Sequence, residues 1–190
     1  MDDLKKEIIK ISKELGLTHI GSNLTAVNII AKIYCEKKKD EPFVLSAGHT
    51  HLAHLLVSKG YDKAKELIQK YGIHCDRWAG CDVSTGSLGH GLGIAIGMAL
   101  ANRNRNVYCL ISDGECSEGS IWESLRIAQE YKLKNLKVYV NANKFGAYKK
   151  INLDRLQKQI KGFGFPIKFV KTNVDGYPFL RGLKGHYAKT

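Results

Sequence analysis

The sequence has no apolar run approaching the ~20 residues that a membrane-spanning helix needs, which excludes a membrane channel. It opens with Met1-Asp2-Asp3-Leu4-Lys5-Lys6-Glu7, charged and helix-forming from the start, so it carries no signal-peptide pattern. A cytoplasmic chain is the expectation. No CxxC spacing occurs among Cys35, Cys75, Cys81, Cys109 and Cys116, and the number is odd. All five are therefore expected as free thiols. Internal repeats, low-complexity tracts and linkers are also missing. What is present is globular: 190 residues, 44% hydrophobic and 25% charged, enough for one domain with a real core and too apolar for a disordered tail. The +12 net charge is spread over helical faces, with Lys37-Lys38-Lys39 the longest run, and a solvated surface is its simplest meaning.

Leu4, Ile8, Ile11 and Leu15 recur at helical spacing and Gly16 supplies a stop. Asn23 is expected to cap a second helix running to about Cys35. Phe43-Val44-Leu45 reads as a short buried strand, followed by helices through Val57 and from Asp62 to Tyr71. Between Gly72 and Gly86 no periodicity exists, and an aperiodic loop of ~15 residues invites a functional explanation. The small-residue run Gly89 to Ala101 reads as a tightly packed buried helix. Strands are expected at 107–111, 136–140 and 167–170, with helices at 121–131 and 153–160 between them. Strands separated by helical patterns predict an α/β fold, a mostly parallel sheet flanked by helices on both faces, in one domain over residues 1–190.

Ligands of open parallel sheets bind outside the carboxyl ends of strands. After the 107–111 strand comes Ser112-Asp113-Gly114-Glu115, and after the 136–140 strand Asn141-Ala142-Asn143-Lys144-Phe145-Gly146. A carboxylate and a carboxamide at neighbouring strand ends are hard oxygen donors suited to Mg²⁺ and a ligand phosphate. Gly114 leaves room for a phosphate beside a helix start. Taken singly, Asp-Gly is a common turn and Asn a common cap.

Together these residues resemble the diphosphate-binding motif of thiamine diphosphate enzymes: Asp113-Gly114, then Asn143 thirty positions on. Asp113 to Glu123, Lys132 to Leu136, Thr18-His19-Ile20-Gly21-Ser22, Leu45-Ser46-Ala47-Gly48-His49 and Ser84 to Gly91 are similar, in order, to the N-terminal domain of the transketolase family. The resemblance runs from about residue 5 to Asp175-Gly176. It implies a thiamine diphosphate-binding fold in which Asp113, the Asn143 side chain and the Phe145 carbonyl hold Mg²⁺, with Ca²⁺ or Mn²⁺ as substitutes. It further implies that Gly114 contacts the diphosphate, and that His49 with Gly86-Ser87-Leu88 holds the cofactor from the other side. Glu118 matches a carboxylate near a subunit interface that links paired active sites. His19, His49 and His74 fall where histidines line a substrate channel, with His19 and His74 bonding sugar hydroxyls and moving protons.

Three departures stand out. Ser112 replaces the first glycine of the family's GDG motif, Cys75 replaces a proline after the loop histidine, and only Tyr177 to Thr190 follow the end of the resemblance. His186 is not nominated for a role. The implied activity is transfer of a two-carbon ketol unit from a ketose to an aldehyde. The implied partner is a separate pyrimidine-domain subunit that supplies a glutamate, giving a two-plus-two heterotetramer. A cofactor-binding subunit with a scaffolding or regulatory role is the alternative. Three other classes fit less well. Gly89-His90-Gly91-Leu92-Gly93 lacks the GxGxxG spacing and a leading strand for a nicotinamide dehydrogenase. His49, His51 and His54 lack the glutamate of a zinc hydrolase, and packing or exposed histidines are the expectation there. Nothing matches a nucleic-acid module beyond net charge.

Overall fold

The computed structural model describes residues 2–146 and 149–180. Four strands, β1 (Phe43–Leu45), β2 (Val107–Ser112), β3 (Leu136–Ala142) and β4 (Ile167–Lys171), form one sheet in the order β1-β2-β3-β4. All three pairings are parallel. The helices are α1 (Asp2–Leu15), α2 (Ile20–Glu36), α3 (His51–Lys59), α4 (Tyr61–Tyr71), α5 (His90–Ala101), α6 (Gly119–Glu130) and α7 (Leu153–Gly162). None of the described helices is long and apolar enough to cross a membrane.

Strand alternation sends side chains into two separate cores. Phe43, Leu45, Tyr108, Leu110 and Tyr139 pack with α1 to α4 on one face. Val44, Val107, Cys109, Ile111, Val138 and Val140 pack with α5, α6 and α7 on the other. Both faces are covered, as the near-continuous apolar strands require. The expected α/β architecture is the observed one.

Three expectations need correction. Helix α2 begins at Ile20, with His19 as its left-handed N-cap residue (φ 61°), so Asn23 lies inside the helix. Its side chain instead bridges separate segments. Nδ2 donates to the carbonyls of His19 (3.0 Å) and His49 (3.2 Å), and Oδ1 accepts from Ala53 N–H (2.9 Å). Helix α5 is not buried all round. Gly91, Leu92, Ala95, Ile96 and Ala99 face the core, whereas Ile94 and Leu100 are 40% and 37% exposed. Its small residues suit a close approach on one side only, where a Cβ on Gly91 would sit 2.6 Å from the Ser46 backbone.

The third correction concerns the thiols. Cys75 and Cys81 are joined, their Cα atoms 6.2 Å apart, while Cys35, Cys109 and Cys116 are free. The chain doubles back at Gly80 (φ 91°), and Cys81 N–H donates to the Asp76 carbonyl (3.1 Å), which brings the two cysteines together.

Glu115 ties the start of α5 to the ends of two paired strands. Its carboxylate, fully buried, accepts from Ser46 Oγ (2.6 Å), Gly89 N–H (3.0 Å) and Ser112 N–H (2.9 Å). These donors belong to the turn after β1, the start of α5 and the end of β2. Burial raises the Glu115 pKa and the hydrogen bonds oppose that rise. Replacing Glu115 with Ala strands at least two buried donors and should lower unfolding stability by about 3 kcal/mol, against about 0.5 kcal/mol or less for exposed Glu130→Ala. Urea denaturation checks this; equal midpoints for the two variants would refute the cross-tie.

Candidate functional site at the carboxyl ends of β2 and β3

A cavity of about 170 Å³ opens at the carboxyl ends of β2 and β3. It is lined by His19, Ser22, His49, His74, Gly86, Leu88, Ser112, Asp113, Gly114, Asn141, Asn143 and Phe145. Residues separated by more than a hundred positions are brought together here, and they include most of those nominated from sequence. Two do not line it. Ser87 is exposed beside Leu88, and Glu118 is exposed at the start of α6, outside the cavity. A larger groove of about 610 Å³ runs along β3 and β4 past Lys5, Lys32 and Lys168, but it contains no carboxylate and none of the nominated residues. Size therefore does not locate the chemistry.

Asp113 follows directly from β2 and is 1% exposed. Its Oδ1 accepts from Gly114 N–H (3.0 Å) and Oδ2 from Lys144 N–H (2.8 Å). Burial pushes its pKa up to about 6 even though backbone N–H groups pull it down. Among the described residues no cationic side chain forms an ion pair with it. Among the described residues this buried carboxylate has no counter-charge, and each oxygen retains acceptor capacity.

Asn143 lies just past β3, 7% exposed. Its Oδ1 accepts from Phe145 N–H (3.0 Å), which folds the 143–145 turn back toward β2. A Cβ placed on Gly114 would lie 3.8 Å from the Phe145 carbonyl oxygen and 3.6 Å from Gly146 Cα. The carbonyl thus faces the same space as Asp113 and Gly114. Asp113, Asn143 and the Phe145 carbonyl form an all-oxygen donor set, and such a set fits a hard divalent cation.

Several residues that hold this geometry are not among those nominated from sequence. Asn141 Nδ2 donates to Thr25 Oγ1 (2.9 Å), and its Oδ1 accepts from Thr172 Oγ1 (2.7 Å), so α2, β3 and the chain after β4 are locked together. Asn141 and Asn143 share one face of an extended chain, which is the available signal. Ser112 turns its hydroxyl inward, accepting from Glu115 N–H (3.2 Å). That placement explains how serine occupies the position of a glycine.

The opposite wall is histidine-rich. The His19 and His49 rings lie 5.2 Å apart, and Thr18 Oγ1 is 2.9 Å from His19 Nδ1. His74 projects from the 72–86 loop, exposed to solvent, and its ring would lie 3.3 Å from a Cβ on Gly86. Gly86 is thus the seat of this imidazole. The loop is pinned to the turn after β1: Cys75 N–H donates to the Gly48 carbonyl (3.1 Å), and Thr85 Oγ1 donates to the Leu45 carbonyl (2.6 Å). Proline at position 75 could not make the first bond. The other two histidines of the stretch behave differently. His51 and His54 are buried beneath the wall, at 0% and 3% exposure, and burial drops His54 to about 3.

Similarity to known proteins shows the family. Residues 1–163 match the N-terminal family described as 1-deoxy-D-xylulose-5-phosphate synthase. The chain is 32% identical to the 6-deoxy-6-sulfo-D-fructose transketolase subunit SqwG of Clostridium sp. (strain MSTE9), an alignment covering 92% of this chain and 72% of that one. It is 34% identical to the transketolase of Homo sapiens over 85% of this chain, but spans only 30% of that protein's length. Transketolase structures from Pichia stipitis and Leishmania mexicana share the fold, with TM-scores of 0.67 and 0.64 at 24% and 21% identity. They cover 85% and 89% of this chain, which spans 29% and 35% of theirs. With the sheet, the strand-end donor set and these matches in agreement, the chain belongs to the transketolase family, as a relative of its N-terminal domain.

Proposed function

We propose that this chain is the diphosphate- and metal-binding subunit of a transketolase-like enzyme that moves a two-carbon ketol unit from a ketose to an aldehyde. The observation that carries the reading is Asp113: a buried carboxylate, without a cationic partner among the described residues, whose oxygens accept from Gly114 N–H and from Lys144 N–H beyond the next strand. A divalent cation supplies the missing charge, and the cation in turn recruits a diphosphate. Asp113, Asn143 and the Phe145 carbonyl would hold Mg²⁺, with Ca²⁺ or Mn²⁺ as substitutes. Gly114 would admit the phosphates, and Leu88, Ser87, Gly86 and His49 would border the rest of thiamine diphosphate. When bound, this cofactor supplies an electron sink for cleaving the bond next to a ketose carbonyl.

The protein's own part is position and proton transfer. His19 and His74 border the cavity, partly or fully solvent-exposed, where they can bond sugar hydroxyls and pass protons. Thr18 fixes the His19 ring, and Gly86 and the Cys75 amide fix His74. Glu118, outside the cavity and exposed, is suited to a contact across a subunit boundary rather than within this chain.

Residues 1–190 are taken as one domain, with the other half of the site assigned to a separate polypeptide. Two observations support this. The relative SqwG, of which this chain covers 72%, is named as a subunit. The cavity of about 170 Å³ is also small for a whole cofactor, as one wall of a shared cleft would be. The partner is a pyrimidine-domain subunit contributing a glutamate, in a two-plus-two heterotetramer. The exposed apolar stripe of α5, with Ile94 and Leu100, offers part of an interface.

Three outcomes follow from these assignments. Asp113→Ala should abolish Mg²⁺-dependent binding of thiamine diphosphate by titration calorimetry while the circular dichroism spectrum stays native; unchanged affinity refutes the metal assignment. His19→Ala and His74→Ala should each lower turnover of the reconstituted enzyme by ~10²-fold, with cofactor affinity nearly unchanged. Wild-type rates in both variants remove these histidines from the chemistry. The purified chain should give no ketol transfer at saturating cofactor and Mg²⁺, with activity appearing on addition of the pyrimidine-domain subunit. Robust turnover by this polypeptide alone contradicts the divided site.

A further inference from the structure

Beneath the histidine wall lies a second cluster that the proposed reaction does not use. His51, His54, Cys75 and Cys81 are 0%, 3%, 3% and 7% exposed, and one ligand atom from each lies within 4.8 Å of all the others. His51 and His54 are three apart on α3, so they share a helical face, and their rings stack with centroids 6.2 Å apart. Cys75 and Cys81 come from the 72–86 loop that lies over that face.

The Gly72 carbonyl assigns the tautomer of His51. His51 Nδ1–H donates to the Gly72 carbonyl (3.2 Å), which leaves the lone pair on Nε2. That Nε2 is buried and has no hydrogen-bond partner among the described residues. Few buried polar atoms are left in this state, and a disulfide gives this one nothing to bond. His54 Nε2 lies 2.8 Å from the Tyr34 hydroxyl, which can accept from Nε2–H, and in that tautomer the Nδ1 lone pair is directed at Cys81 Sγ, 3.5 Å away. Two imidazoles thus present bare nitrogens toward two sulfurs, and each is oriented from behind by a carbonyl or a phenol. Metal-binding histidines are supported in this way.

We propose that His51 Nε2, His54 Nδ1, Cys75 Sγ and Cys81 Sγ form a structural zinc site that fastens the 72–86 loop to α3. A tetrahedral zinc with two nitrogen and two sulfur ligands needs ligand atoms roughly 3.3–3.8 Å apart, within the span of this cluster. Four protein ligands and deep burial leave no open position for water, so the site is structural rather than catalytic. The bridged cysteines are its oxidised, metal-free form. Two electrons and two protons from a dithiol reductant convert the bridge to two thiols, and Zn²⁺ then displaces both thiol protons. The consequence for the first site is mechanical: Cys75 adjoins His74, so zinc holds the loop segment that presents this imidazole to the cavity.

The test is metal and thiol analysis of the whole chain, produced with zinc in the medium and purified without reductant or chelator. One zinc per chain by mass spectrometry is expected. All five cysteines should then react with a thiol reagent after unfolding in EDTA. Replacement by Co²⁺ should give an intense thiolate-to-metal charge-transfer band. His51→Gln and Cys81→Ser should each cut zinc content at least tenfold, whereas Asp113→Ala should leave it at one. Three reactive thiols with no zinc would establish a permanent disulfide and overturn the proposal, as would five thiols with no zinc taken up on addition. Zinc that survives in His51→Gln but leaves in Asp113→Ala would put the ion at the strand ends and overturn it equally. The wild-type measurements decide the matter even where a variant fails to fold.

Discussion

The Glu115 carboxylate is the tie on which the site's shape depends. Parallel strands give the sheet its plane, but they do not fix the turns that leave it. Glu115 sits one residue beyond Gly114 and draws Ser46, Gly89 and Ser112 onto a single buried anion. One of these groups, Gly89 N–H, belongs to the start of α5, where the helix dipole is positive and favours the charge. A neutral side chain here would leave the β1 turn and the α5 start without a common anchor. Asp113, two residues earlier, points the other way, into the cavity. Two carboxylates in one short stretch thus differ: Glu115 is satisfied by three protein donors, and Asp113 borders the cavity where the cation is proposed.

The same division appears on β3. Asn141 spends its amide on Thr25 and Thr172, while Asn143 directs its oxygen to the turn that brings the Phe145 carbonyl over Gly114. Polar groups at a strand end are expensive to bury unless bonded, and each of these has a protein partner or borders the proposed cation. The histidine wall is built by a different device. Asn23 links the carbonyls of His19 and His49 from inside α2, and the 72–86 loop carries His74 in from the side. The site is therefore assembled from a rigid half, the strand ends, and a strapped half, the loop. Such a loop is the part with most to gain from a metal clip or a disulfide.

The rigid half is legible in the sequence. Apolar strands alternating with helical patterns specify a parallel sheet, and a parallel sheet places ligands just past each strand, where Asp113 and Asn143 stand. The helix boundaries are legible where a glycine ends them, as at Gly16 and Gly72. What is not legible depends on contacts between distant segments. Asn23 has the chemistry of a cap, and only the fold reveals that two carbonyls, one of them 26 residues away, claim it instead. The α5 run is uniformly apolar, so its sequence cannot say which face lies against Ser46 and which meets solvent. Cys75 and Cys81 have no spacing that announces a pair, since their approach depends on the reversal at Gly80. His51 and His54 have no glutamate between them, which excludes one kind of zinc site but not a four-ligand structural one. Glu118 is nominated only from its position in a motif, as a carboxylate near a subunit interface, and it lies outside the cavity.

The central claim is that a divalent ion sits between the ends of β2 and β3. Anomalous diffraction from crystals of the chain grown with Mn²⁺ and thiamine diphosphate tests it most directly. A manganese peak is expected within coordination distance of Asp113, the Asn143 carboxamide oxygen and the Phe145 carbonyl, with diphosphate density beside Gly114. A manganese peak elsewhere, with none at Asp113, would contradict it.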